Sequence, residues 1–235
     1  MKNLVSTDWL ENNLNKVRII DATWHMPNLN REPYKEYLET HIPNSVFFDL
    51  DKNSNEKSSL PHMLPDKQKW KGIVSDFGIK NSDNLVIYDN SDTFSSCRCW
   101  YSFIYFGHDH NKVSILNGGL KKWIREKKPL TNKIIKFTKS EYAVKENKFL
   151  IKNKEQIKQN ISQKHFELID ARSEERFKGL VPEPRKGLKS GHIQNSKNIP
   201  FSKCINIGDN TFKNKDELSE IFNKQDIDYA KDIVF

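Results

Sequence analysis
The chain has 235 residues, enough for one large or two small domains, and with 36 % apolar and 30 % charged residues it is globular rather than disordered. No apolar run approaches membrane-spanning length, and the amino terminus, MKNLVSTDWLENN, lacks the apolar core of an export signal; the three cysteines, too few for a disulfide framework, favour a reducing cytoplasm. The net charge of +8 raises nucleic acid as a partner, yet the lysines are dispersed among acids and no basic cluster alternates with aromatics, so we expect a solvated surface that binds neither nucleic acid nor membrane.

Taken in order, Ser6 or Thr7 caps a first helix, DWLENNL, and Val17 to Ile20 reads as a buried strand ending at Asp21. Pro33 suits the first position of a helix, PYKEYLETHI, and a second strand, Val46 to Phe48, leads into Asp49, Leu50 and Asp51. A polar loop, residues 52–65, carries His62 within HMLP. Asp66 then caps a helix with Trp70, Ile73, Val74 and Phe77 on one face, which Gly78 stops. Leu85 to Tyr88 is a third strand, Ser95 to Phe106 an apolar helix, Val113 to Leu116 the next strand, and GGLKKWIREK a further helix. Strands alternating with helices predict an α/β fold with parallel sheets flanked by helices.

The pattern changes at Pro129. Residues 131–147 are Lys-rich without an apolar period and read as a linker, after which the pattern starts again. LIDA echoes IIDA, GHIQNSKNI (191–199) echoes THIPNSVFF (40–48), and DIVF echoes LVIYD, so the chain divides into two domains of one architecture, 1–130 and 148–235. The second copy stops on the strand equivalent to Leu85–Tyr88, leaving out about forty residues that the first copy has. On that reading Leu168, Ile169, Ile233 and Phe235 lack covering helices, and the second domain is incomplete.

The richest stretch is FELIDARSEERFKGLVPEPRKGLKSGHIQNSKNIP, residues 166–200. Phe166 to Ile169 is a short buried strand, Ser173 to Phe177 one helical turn, and Gly179, Pro182, Pro184 and Gly187 punctuate a loop. Arg176 and Arg185 flank and enter that loop, where two guanidiniums make a fork for a small anion. The alternative is that each pairs with Glu174, Glu175 or Glu183 at the surface.

The motif DAR-x3-RF-x-G-x3-EPR-x-G-x3-GHI-x2-S-x-N-IP resembles the second domain of the two-domain rhodanese-like sulfurtransferases, in particular those acting on 3-mercaptopyruvate. The resemblance covers nearly the whole chain. It implies two tandem rhodanese-like domains and transfer of sulfane sulfur to a thiol or cyanide through a cysteine persulfide. It further implies that no metal or organic cofactor takes part. Arg176 and Arg185 would hold the donor's carboxylate and keto oxygen in the cleft between domains. The nucleophilic cysteine of the family lies on a loop beyond the last strand of this chain, so the 235 residues alone are expected to be inactive, either a fragment or a non-catalytic binding module. Domain 1–130 is the non-catalytic copy, with Asn90 where the cysteine would stand.

The cysteines present fit that view. Cys97 and Cys99 lie on an apolar helix as small packing residues, and Cys204 follows IPFS in a packing role. His62 stands eleven residues after Asp51, and an Asp–His pair can orient an imidazole that polarises a hydroxyl. By resemblance, FFD-x-D and HMLP at this spacing mark the mercaptopyruvate enzymes, whose Asp and His support a serine of the catalytic loop. The thiosulfate enzymes typically differ at both positions and lack the Arg of the EPR triplet. The matches at Asp51, His62 and Arg185 favour mercaptopyruvate, with thiosulfate the rival donor. Phe94 departs from the Tyr often found there. His108 and His110 lack further ligands for a metal, and His41 and His192 share an equivalent structural place in the two copies.

Overall fold
The computed structural model describes residues 2–184 and 187–235 and forms two compact units, Met1–Lys148 and Phe149–Phe235. In the first, β1 (Leu4–Val5), β5 (Val113–Leu116), β4 (Leu85–Tyr88), β2 (Arg18–Asp21) and β3 (Ser45–Phe47) lie in that order, all pairs parallel. The helices are α1 (Thr7–Glu11), α2 (Pro33–Glu39), α3 (Lys67–Asp76), α4 (Ser95–Tyr105) and α5 (Gly119–Arg125).

Every residue of β4 and β5 is buried, as expected of strands covered on both faces. Val86 and Tyr88 join Ile19, Leu116, Leu120 and Trp123 in one cluster, so the two-residue period turns Leu85 and Ile87 to the other side. Trp70 of α3 is fully buried, stacked on Phe106 at 4.6 Å and edge-on to Phe103 at 5.0 Å. Asp66 caps α3 by accepting from the Gln68 and Lys69 amides, and Gly78, at φ +66°, ends the chain's helical path. Helix α2 stops at Glu39, earlier than expected, because Thr40 turns extended and His41 bridges to Thr131.

Residues 131–147, expected as a linker, have almost no regular structure but pack along the first unit. The Lys145 and Asn147 amides donate to the carbonyls of Phe106 and Tyr105, and Tyr142 is 1 % exposed with its hydroxyl 3.1 Å from His108 Nδ1. Main-chain bonds, side-chain bonds from Asn81 and Ser140, and the aromatic rings of Phe137 and Tyr142 hold this strap, and these scattered contacts leave no apolar period in the sequence.

In the second unit the parallel sheet runs β7 (Lys197–Asn198), β6 (Phe166–Asp170), β8 (Asp232–Val234). Helices α6 (Lys154–Gln163), α7 (Glu174–Phe177) and α8 (Lys215–Asn223) accompany it, α6 and α8 each opened by an Asn capping box. Leu168 and Ile169, expected to be uncovered, are buried. Ile169 packs with Ile199 and Ile227, backed by Cys204, Ile221, Phe222 and Ile233. Phe235 is 72 % exposed, as expected.

Candidate active site
Two polar clusters sit beyond the carboxyl ends of strands, one in each unit. In the first, the chain leaves β3 through a turn bearing Asp51, then crosses the loop to His62. That loop is closed by the Asn55 amide on the Met63 carbonyl at 2.8 Å and by Lys69 Nζ on the Ser54 carbonyl at 2.8 Å. His62 Nε2 thereby comes 2.7 Å from Asp51 Oδ1. His62 adopts φ +55°, a left-handed backbone disfavoured by a β-carbon. Arg98 of α4 donates to its carbonyl at 2.5 Å. The indole Nε1 of Trp24 donates to Asp51 Oδ2 at 3.1 Å, and its ring stands edge-on to His62 with centroids 4.8 Å apart. Trp24 and Arg98 escape sequence reasoning because 27 residues separate Trp24 from Asp51 and 36 separate Arg98 from His62.

Beyond β4, where Asn90 stands, the loop is occupied by its own side chains. The Asp89 carboxylate accepts from the Ser91 amide at 3.2 Å and the Ser96 amide at 2.6 Å. The Asn90 amide donates to Thr23 Oγ1 at 2.9 Å. Burial raises Asp89, and it pushes the neighbouring Asp21 carboxyl up to about 6 although Thr23 donates to it twice.

In the second unit, Arg176 pairs with Glu183, one of the three glutamates named for it, although that carboxylate is enclosed rather than at the surface. Glu183 is a hub with 4 % of its side chain exposed. Arg172, which sequence reasoning passed over, donates to it from Nη1 at 2.8 Å and grips Asp170 through Nε at 2.9 and 3.0 Å. The Arg172 fork also reaches the Gly191 carbonyl at 2.7 Å. The hydrogen bond from Arg176, helped by Arg172, holds Glu183 below the usual carboxylate range. Burial alone would raise Asp170, but the Arg172 contacts outweigh it and hold that group low too. Arg185 lies outside the described residues. The signal for Arg172 was its place two residues after Asp170, the last residue of β6.

The histidines expected to be structural behave alike in the two units. His41 stacks on Tyr37 at 4.1 Å and bonds its carbonyl, and His192 stacks on Phe177 at 3.9 Å and bonds its carbonyl. His108 is buried between the Tyr142 hydroxyl and the Asp83 carbonyl. Among the described residues, no three His, Cys, Asp or Glu side chains are grouped to hold a metal ion. Burial pushes the Cys97 thiol up to about 12, Cys99 far above its ordinary value and Cys204 upward. No helix among the described residues is long and apolar enough to cross a membrane.

The chain is similar to known proteins over nearly its whole length. The rhodanese-like domain model matches residues 6–126 and 153–235. The chain is 39 % identical to thiosulfate/3-mercaptopyruvate sulfurtransferase 1, mitochondrial, of Arabidopsis thaliana, over 98 % of this chain and 66 % of that protein. It is 34 % identical to 3-mercaptopyruvate sulfurtransferase of Homo sapiens, over 98 % of this chain and 80 % of that one. Among solved structures it resembles SseA of Escherichia coli, a 3-mercaptopyruvate sulfotransferase, with TM-score 0.89 and 31 % identity over 99 % of this chain and 87 % of that chain. With the parallel sheets of both units and matches to both segments, the chain belongs to the two-domain rhodanese-like sulfurtransferase family.

Proposed function
We propose that the protein takes sulfane sulfur from 3-mercaptopyruvate and passes it to a thiol or cyanide through a cysteine persulfide. The observation that carries this reading is the 2.7 Å contact between His62 Nε2 and Asp51 Oδ1, on the loop that the mercaptopyruvate enzymes resemble. In this reading the nucleophile is a cysteine on a loop that would follow β8, which the 235 residues do not include. Cys97, Cys99 and Cys204 are poor candidates, because burial shifts each thiol away from the thiolate and only the thiolate attacks.

The thiolate attacks the donor's sulfur and the carbon–sulfur bond breaks, its electron pair going to carbon. The resulting enolate takes up a proton and leaves as pyruvate, and the enzyme holds the persulfide. Asp51 orients His62, which assists that proton transfer through a hydroxyl of the catalytic loop. Arg176 and Arg185 bind the donor's carboxylate and keto oxygen; Glu183 holds Arg176 in place until the anion arrives. Domain 1–130 is the non-catalytic copy: its own loop carries Asn90, and Asp89 takes up amides there. The three unpaired cysteines suit a reducing compartment, the cytoplasm in this reading.

Thiosulfate is the second donor to test, since the Arabidopsis relative is named for both. In a chain that carries the loop cysteine, Asp51→Ala and His62→Ala should each lose a similar factor in mercaptopyruvate turnover, and the double variant little more. Arg185→Ala should raise the KM for mercaptopyruvate roughly ten- to hundredfold and affect thiosulfate less. Additive losses at Asp51 and His62 would remove that pair from the mechanism, and equal losses on both donors would overturn the donor assignment.

A further inference from the structure
The Asp51–His62 pair is poorly restrained by its own loop. The Asp51 side chain is 66 % exposed, and an exposed carboxylate–imidazole contact is weak and free to rotate. His62 sits in a left-handed conformation with a β-carbon to accommodate. The restraint comes from elsewhere in the first unit. Each Asp51 oxygen has its own partner, Oδ1 facing His62 Nε2 and Oδ2 accepting from the Trp24 indole N–H. The same indole stands edge-on against the imidazole, fixing the plane in which His62 meets Asp51. Trp24 is itself fixed, because its amide donates to Ser95 Oγ, which donates to the Ala22 carbonyl at 2.7 Å. Three residues along the same helix, Arg98 reaches across and holds the His62 carbonyl.

We propose that Trp24 and Arg98 are positioning residues for the Asp51–His62 pair, so that the helix after the first unit's Asn90 loop serves as its frame. The inference rests on the reading in which that pair assists sulfur transfer. Trp24 locks the carboxylate through its N–H, and Arg98 locks the imidazole's backbone. Acting through the pair, both affect turnover and leave donor binding to the arginines of the second unit.

Trp24→Phe keeps an aromatic ring at this place but removes the indole N–H together with the five-membered ring that bears it. In a chain that carries the loop cysteine we expect about a tenfold fall in kcat for mercaptopyruvate with KM changed by less than about twofold. In the Asp51→Ala background the same substitution should cost nothing further, and Arg98→Met should likewise cost nothing further beside His62→Ala. An independent readout needs no turnover: the indole N–H resonance of Trp24 should move upfield in Asp51→Ala as its acceptor is lost. Losses that add to those of Asp51→Ala or His62→Ala, or an indole resonance unmoved by Asp51→Ala, would overturn the proposal. If Asp51→Ala and His62→Ala leave turnover intact while the indole resonance shifts, the contact stands and the catalytic reading of the pair has failed.

Discussion

Asp21 ends β2 with its carboxyl 2 % exposed, beside the equally enclosed Asp89, and burial lifts its pKa from 3.8 to about 6. The folded first unit therefore binds a proton here that the unfolded chain has already released at mildly acidic pH. Stability from this group is complete below the unfolded value and is lost as pH rises through the folded one, between about pH 4 and pH 6. A shift of roughly two units corresponds to about 3 kcal/mol. Asp21→Asn keeps an acceptor for the Thr23 amide and hydroxyl but carries no titration. Relative to wild type, the variant should gain up to about 3 kcal/mol on going from pH 4 to pH 7. All five tryptophans lie in the first unit, so urea unfolding followed by tryptophan fluorescence reports that unit without interference from the second. A difference between the two proteins that stays constant with pH, or wild type gaining on the variant as pH rises, would refute the reasoning.

Gly119→Ala should destabilise the first unit by about 2–4 kcal/mol in the same assay, because φ is +56° and a β-carbon would lie 2.5 Å from the Asp89 carbonyl oxygen. Glu183→Gln, which removes the anion shared by Arg172 and Arg176, should destabilise the second unit by about 1–3 kcal/mol in urea unfolding followed by far-ultraviolet circular dichroism; no change would show that the Glu183 charge does not support the unit. Cys97 should resist iodoacetamide at pH 8 in the folded protein and react after denaturation, and mass spectrometry showing rapid labelling of the native chain would mean its thiol is far more acidic than its burial implies.

The central strands of both units were legible because a buried parallel strand is a short apolar run with a polar residue at its exit, and RIID, LVIY, VSIL and FELID have that form. The two-residue strands β1 and β7 were not, since a pattern needs more positions than they have. Asp51 and His62 are close in sequence, so their spacing carried information about their meeting. Trp24 and Arg98 come from other elements, and only the pairing of β2 with β3 and the packing of α4 on the same sheet bring them to that pair. Arg176 had three glutamates within reach in the sequence, and its choice of Glu183 depends on how the Pro-rich loop folds back toward α7. Residue types thus named the chemistry available to this chain. Which groups pair, and which charge is spent on a neighbour, was decided by the path of loops whose energies lie in hydrogen bonds between distant residues and so leave no local period to read.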